Sequence, residues 1–362
     1  MTPVLLTAAL LVPVGPGAAV PLPGTENGAH ARAAAVVAPA TVAVTVNWHA
    51  WVRDKRTGEV FGGPTGFQLT MRCTGFVVHA SGPVVTASGC VDPGGDGTAP
   101  MFRRMAAEEL ARVGRTPEAR RAAVVLAEHA VVEGLGDGMP PNRAISVHWG
   151  RPADAVPAEA VAVGPRSEGG VALLRVAVPR RLPAAELAPR SAIRNGTAFQ
   201  LIAPHKTVTG QVTRATEPLH EVSTFDSTLR GAPAVDASGR VIGMAAPKGM
   251  VTDVTAIVAA LRGTGSPHGL GALDRNWRTG LDLYYAGRYS SAMAHFDAVL
   301  AATGEHAQAT EFRRLATERR VTAGDRPHAA ATWALVAGAI GLLAGVAALI
   351  LGLVRPRPRV RA

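Results

Sequence analysis

Residues 332–354 (TWALVAGAIGLLAGVAALILGLV) run for 23 positions without a charged side chain. At about 1.5 Å of rise per residue, a helix of that length crosses a hydrocarbon layer of roughly 30 Å. A helix buried in a soluble core does not need such length, so the run predicts one transmembrane helix. Trp333 sits at one edge of it, and Arg355, Arg357, Arg359 and Arg361 follow the other. Clustered arginines beside a span mark the cytoplasmic side. At the opposite end of the chain, residues 4–14 (VLLTAALLVPV) are apolar and are followed by small residues, with candidate cleavage sites after Ala19 and Ala31. This reads as a secretory signal peptide that lacks its basic start. The expectation is a single-pass type I protein of the cell membrane: leader 1–31, extracytoplasmic residues 32–331, and an Arg-rich cytoplasmic tail at 355–362. Gly341-x-x-x-Gly345, extended by Ala337, offers a face on which two spans could pair as a homodimer.

Apolar residues make up 48% of the chain and charged ones 18%, which excludes wholesale disorder. Aromatics are only 4%, so the core must come from Ala, Val and Leu. The net charge is +10, but only Lys55, Lys206 and Lys248 are lysines, and no basic run is interleaved with aromatics. A nucleic-acid partner is therefore not expected. The two cysteines, Cys73 and Cys90, are too few for a four-ligand zinc site and are not spaced as a C-x-x-C redox pair. They are either free core thiols or one disulfide. An extracytoplasmic location favours the disulfide, whose loop is worth roughly 3 kcal/mol in the chain-entropy account. Neither a metal nor a cofactor is expected.

The extracytoplasmic part divides in two. Thr41–Val52 alternates and is rich in β-branched and aromatic residues, and Arg56-Thr57-Gly58-Glu59 is a turn. Gly75–His79 and Pro83–Ala87 flank Ala80-Ser81-Gly82 as a hairpin. Further strands are expected at Ala144–Trp149, Val171–Val176, Ala198–Ile202, Val208–Thr213 and Arg240–Ala245. Short strands at this spacing predict an all-β barrel or sandwich. Thr252–Leu261 reads as a helix, with Thr252 or Asp253 as N-cap and Gly263 past its end. Residues 100–134 break the β pattern with helical composition. Thr116-Pro117-Glu118 is a helix start, so the segment reads as an inserted helical hairpin with a solvated, Arg-rich face.

After a linker at 263–271, helical periodicity takes over. Asn276–Tyr285 and Tyr289–Leu300 form a pair about Gly287, with a third helix over 305–320, so residues 272–322 make a helical module and 323–331 lead to the span. Gly280, Gly287, Tyr289, Ala292 and Phe296 resemble the small and aromatic positions of one tetratricopeptide repeat over 273–306. A single repeat cannot bury its apolar face alone. The alternative is a plain helical hairpin that spaces the β domain from the membrane.

Cys73-Thr-Gly-Phe-Val-Val-His-Ala-Ser-Gly-Pro-Val-Val-Thr-Ala-Ser-Gly-Cys90 resembles the first-barrel core of trypsin-like serine proteases, a hairpin ending in Thr-Ala-x-His-Cys. Gly170-Val-Ala-Leu-Leu-Arg-Val176 is similar to the family's Asp-hydrophobic-Ala-Leu-Leu strand, and Thr228-Leu-Arg-Gly-Ala-Pro233 to its Gly-x-Ser-Gly-Gly-Pro segment. The resemblance covers roughly residues 41–262, with 100–134 as an insertion. It implies a double β-barrel and a Cys73–Cys90 disulfide. The overall expectation is a mainly β, trypsin-like double barrel with a helical insertion, then a helical module and one transmembrane helix. The catalytic His, Asp and Ser positions are held by Gly89, Gly170 and Arg230. Peptide hydrolysis needs a nucleophile, a base and a group that orients the base. Two glycines supply no functional group, and a guanidinium cannot act as a base.

The resemblance therefore implies a pseudoprotease that binds an unidentified peptide or protein, or acts as a scaffold. Candidate binding residues are Arg230, Gly231 and Asp226: the Arg230 cation is expected to reach solvent, or to bond backbone carbonyls or Asp226, and it suits a carboxylate. Two other readings stand beside it. One is an active envelope protease whose site is rebuilt from His49, His79, His205 or His220 with Ser88, Ser223, Ser227 or Asp226. The other is a purely structural envelope protein.

Overall fold

The structure is a computed structural model and describes residues 26–92, 97–115, 118–136, 138–149, 152–165, 169–178, 181–189, 191–224, 226–303 and 306–326. The leader as far as residue 25, the Thr116-Pro117 helix start and the 332–354 run lie outside the described residues. Among the described residues, no helix is long and apolar enough to cross a membrane.

The chain opens on helix α1 (Glu26–Val37). Six of its residues fall within the segment assigned to the leader. Strand β1 (Thr41–Asp54) follows, and β2 (Val60–Phe61), β3 (Phe67–Val77) and β4 (Pro83–Ala87) lead into the single turn α2 (Ser88–Val91). The insertion supplies α3 (Ala99–Arg112) and α4 (Ala119–His129), and its end is not helical: β5 (Ala130–Glu133) pairs with the far end of β1, Asp54 opposite Ala130. Residues Ala130-Val-Val-Glu133 are β-branched at their centre, and the unpaired edge of the long β1 gives them a partner. Phe102, Ala106, Ala107, Ala122 and Leu126 from the two helices bury their faces against Ala50, Val52 and Phe61 as a small core of their own.

Strands β6 (Asn142–His148), β7 (Val156–Val163) and β8 (Val171–Val176) complete the first barrel. Its strands run β1-β3-β4-β8-β7-β6, and the pairing of β6 with β1 closes the ring. The second barrel is built from β9 (Ala198–Ala203), β10 (Lys206–Arg214), β11 (Leu219–Val222), β12 (Pro233–Val235), β13 (Val241–Ala246) and β14 (Met250–Asp253). It closes in the order β10-β11-β14-β13-β12-β9. The barrels are packed largely with aliphatic side chains: Val44, Val85, Val147, Leu173 and Leu174 of the first and Leu201, Ala234, Ile242 and Ala245 of the second are all buried.

Helix α5 (Val254–Gly263) starts at Asp253, whose carboxylate accepts the Thr255 amide at 2.8 Å. Then come α6 (Ala272–Tyr285), α7 (Tyr289–Thr303) and α8 (Ala307–Ala323). The three helices close around Trp277, whose ring lies 5.6 Å from Phe296, 5.0 Å from His306 and 5.7 Å from Phe312. The module buries its remaining apolar face on α1 and the barrels. Trp277 Nε1 donates to the Ala35 and Val36 carbonyls at 3.2 and 3.3 Å, and Arg32 pairs with Asp282. Buried Asp274 accepts the amide of Ala184, on the connection between the barrels, at 2.8 Å.

Candidate functional site

Where β4 runs into α2, the backbone of Ala87 and Ser88 brings together the positions singled out from the sequence. The Ser88 amide donates to the Gly170 carbonyl at 2.8 Å, and the Thr74 amide donates to the Arg230 carbonyl at 2.8 Å. A Cβ at Gly231 would lie 2.1 Å from the Thr74 carbonyl oxygen, 2.6 Å from Thr86 Oγ1 and 3.2 Å from the Ala87 amide. Gly89 is buried in α2 beside Ser88. Gly170 and Arg230 thus meet the segment of Gly89 from the first and second barrel respectively.

The backbone is close-packed around Gly170 and Gly231. A side chain at residue 170 would start with its Cβ 2.2 Å from the Pro165 carbonyl oxygen and 2.6 Å from Ser88 Oγ. Those contacts are far inside van der Waals distance, so no side chain fits at residue 170 without moving main chain. Gly231 has φ +83°, a left-handed conformation natural to glycine, and its amide donates to the Ala245 carbonyl at 2.9 Å.

The resemblance noted above would align the amides of Arg230 and Thr228, two positions apart, with the pair that cradles the oxyanion in serine proteases. The Thr228 amide is taken, because it donates to Asp226 Oδ1 at 2.9 Å, and the Thr228 hydroxyl donates to the same oxygen at 2.6 Å. Asp226 caps the short turn Ser227–Leu229, and its other oxygen is bound by Lys206. The Lys206 ammonium, then the Thr228 groups, hold its carboxyl well below the usual carboxylate range. Asp226 is therefore committed to Lys206 and Thr228 rather than to Arg230, which removes one of the three alternatives considered for that arginine. Its side chain is satisfied within its own loop.

The residues considered for a rebuilt triad are dispersed. His49 bonds the Thr65 carbonyl and stacks edge-on to Trp51. His79 Nδ1 meets Ser81 Oγ at 2.8 Å inside the β3–β4 turn, with no acid on the ring among the described residues. His205 is exposed in the β9–β10 turn, and Ser223 Oγ accepts the Gln211 amide at 3.0 Å. Ser88 is buried, and Ser227 is exposed.

One cluster was not legible in the sequence. His220 and Asp253 are fully buried, with His220 Nε2 2.9 Å from Asp253 Oδ2, and Ser191 donates its hydroxyl to the same oxygen. His220 Nδ1 accepts the Thr216 amide at 3.1 Å, so Nε2 carries the proton toward Asp253. Ser191 bonds the carboxylate rather than the ring, so the three do not form a nucleophile–base pair. Burial alone would raise the Asp253 carboxyl, but donors from His220, Ser191 and Thr255 outweigh it and bring it down to about 2. The cluster ties β11, β14, α5 and the start of the second barrel together. Its members lie 62 and 33 residues from one another along the chain, so no local motif announces it.

Cys73 and Cys90 are joined by a disulfide, across the hairpin that ends beside Gly89. Among the described residues, no three His, Cys, Asp or Glu side chains are grouped to hold a metal ion.

Comparison with known proteins agrees with this architecture. Residues 73–244 match the family model of the trypsin-like peptidase domain. No curated protein matches the chain. Among solved structures, a crystal structure of Deg5 is similar at 13% identity, over 67% of this chain and 98% of that one, with a TM-score of 0.39. The matched segment takes in strands of both closed six-stranded barrels, and this part of the chain is similar to a trypsin-like peptidase domain.

Proposed function

We propose that this chain is a membrane-anchored, extracytoplasmic pseudoprotease that holds a peptide or protein segment without cleaving it. One observation carries the reading: at the site where Gly89, Gly170 and Arg230 converge, the Thr228 amide that would receive an oxyanion is occupied by Asp226. Loss of the triad costs on the order of 10⁶ in turnover, and what remains of catalysis in such enzymes comes from the oxyanion hole and binding. Here the first is removed by substitution and the second is reduced to one candidate amide.

The same reading assigns the 332–354 run as the anchor, residues 1–25 as including a secretory leader, and α6–α8 as a repeat-like module that presents the barrels away from the bilayer. Pairing of two anchors through Gly341 and Gly345 would make the protein a dimer. The unused cleft of a protease fold retains the means to hold an extended peptide through main-chain bonds and side-chain pockets. The test is a fluorophosphonate probe on the full chain, alongside hydrolysis of a mixed peptide library. The expected result is no covalent labelling and no cleavage. Labelling of any serine, abolished by substituting that serine, would return the protein to the active proteases.

A further inference from the structure

The chain leaves the helical module at a fixed point. Helices α6, α7 and α8 run antiparallel in turn, so the end of α6, the start of α7 and the end of α8 lie together. Arg313 of α8 pairs with Asp297 of α7, and Thr317, one turn on, donates to Met293 Sδ at 3.2 Å. Past α8 the chain turns at Gly324, with φ +67°, and folds onto the α6–α7 turn. Asp325 Oδ1 accepts the Ser290 amide at 3.0 Å, and the Arg326 amide donates to the Gly287 carbonyl at 3.0 Å. The stem of Arg326 lies over Gly287. Six residue steps then separate Arg326 from Thr332, the first residue of the uncharged run. Fully extended, they span at most about 22 Å, and a flexible chain of that length averages roughly 13 Å.

That end of the module is charged differently from its flanks. On the flanks, arginines are paired: Arg313 with Asp297, Arg314 with Glu311 and Glu318, and Arg32 with Asp282. Arg320 and Arg326 are exposed, and neither guanidinium is in an ion pair among the described residues. Residues 319–326 carry three arginines and one aspartate, and that aspartate is held by Ser290. Val321, between the two exposed arginines, is 78% exposed. The net positive end of the module is thus the end that the short tether keeps nearest to the 332–354 run.

We propose that the α6–α7 turn and the end of α8 form a membrane-contact face, on which Arg320 and Arg326 bind the phosphates of anionic lipid headgroups and Val321 enters the headgroup layer. This rests on the reading of 332–354 as the anchor. The tether reaches across a headgroup layer and a Debye length of about 8 Å, so both charges act at the bilayer surface. Because the anchor makes the contact intramolecular, binding too weak to recruit a free protein is enough to orient a tethered one. Each arginine beside an anionic surface favours the docked orientation about fivefold, and two favour it about 25-fold. The barrels are fixed to the module through α1, through Trp277 and through Arg278 on the Gly239 carbonyl, so docking this end sets the orientation of the whole extracytoplasmic part.

The experiment uses the full chain in nanodiscs of phosphatidylcholine, alone or mixed with phosphatidylglycerol. Both native cysteines are in the disulfide, so Val321→Cys supplies the one free thiol for a bimane label. Leu135→Cys, at an equally exposed position on the insertion, is the comparison. A phosphatidylcholine with a nitroxide on its headgroup serves as quencher. The label at 321 should be quenched several times more strongly in the anionic discs than in the neutral ones, and high salt should remove the difference. The label at 135 should not distinguish the two lipids. Arg320→Gln with Arg326→Gln should bring quenching at 321 down to the neutral-lipid level. Arg320→Lys with Arg326→Lys should keep most of it, since a phosphate accepts either cation. Circular dichroism checks that these exposed substitutions leave the fold intact. Equal quenching at 321 in the two lipids, quenching unchanged in the Gln pair, or the same lipid dependence at 135 overturns the proposal. Alkaline carbonate extraction from vesicles of the same lipids tests the anchor by itself. A chain that resists extraction but shows no charge-dependent quenching loses the contact face and keeps the anchor; a chain that carbonate releases loses the anchor and the contact face with it.

Discussion

Replacing Asp253 with Asn tests the buried cluster that joins the second barrel to α5. The carboxylate accepts four donors: Oδ1 takes the Thr255 amide at 2.8 Å and its hydroxyl at 2.7 Å, while Oδ2 takes the Ser191 hydroxyl and His220 Nε2 at 2.9 Å. An Asn at this place turns one oxygen into an NH₂, which points donors at two existing donors. Bonds to a charged acceptor are worth about 1.5–3 kcal/mol each, and a buried donor left unmade costs about 1–3 kcal/mol. With one pair of bonds lost and partial relaxation, the loss should be about 3–5 kcal/mol.

The pH dependence carries a second number. Asp253 is held at about 2 in the folded chain, below its ordinary value, so it binds its proton more weakly when folded than when unfolded. Its contribution is complete above about pH 4 and is lost as pH falls from there toward 2, a change on the order of 2 kcal/mol. Urea unfolding of the full chain in detergent, followed by circular dichroism and by hydrogen exchange of β11, β14 and α5, measures both. Asp253→Asn should lower the midpoint throughout and flatten the decline between pH 4 and 2. A loss below about 1 kcal/mol at pH 7, or an unchanged acid limb, would refute the assignment of these hydrogen bonds as a major support of the second barrel.

Gly231→Ala should cost more than about 3 kcal/mol or prevent folding, because its Cβ would fall 2.1 Å from the Thr74 carbonyl at a positive φ; expression yield and melting temperature read it, and a near-neutral substitution would deny the closeness of the two barrels there. Trp277→Ala removes the ring against which Phe296, His306 and Phe312 pack, with an expected loss of about 3–5 kcal/mol and release of α1, seen as faster proteolysis after Arg32. In intact cells, external protease should digest the barrels and spare a tag placed after Ala362; a digested tag would reverse the proposed orientation. The mature chain should begin at or before Glu26, because cleavage after Ala31 would remove the first half of α1; N-terminal sequencing decides it.

Strand existence was largely legible because period-2 alternation and turn residues are local. Val171–Val176 and the Pro83–Ala87 hairpin arm fall where the pattern puts them, and Asp253 caps α5 as its position before Thr255 suggests. Strands with weak patterns were not: Val156-Pro-Ala-Glu159 lacks alternation, and Pro233–Val235 has three residues, so each is a strand only because a neighbour's open edge pairs with it. The β end of the insertion has the same origin, since β5 exists to fill the edge that β1 leaves beyond the barrel. Helix α1 was hidden for a different reason. Its Ala-rich composition is common to leaders and helices, and only docking against Trp277 and Asp282 distinguishes them.

At the site, the amino-acid sequence alone determined chemistry by residue type: glycine has no functional group, arginine is a permanent cation, and Cys73 and Cys90 bracket a hairpin. No fold can give those residues an imidazole or a nucleophile. Tertiary structure decided what each charged group faces. Asp226 lies four residues from Arg230 yet is held by Lys206, 20 residues away, which leaves the arginine without its sequence neighbour. His220, Ser191 and Asp253 meet only because the second barrel closes. Electrostatic partners are set by distance in space, and in a double barrel built from antiparallel pairings that distance bears little relation to separation along the chain.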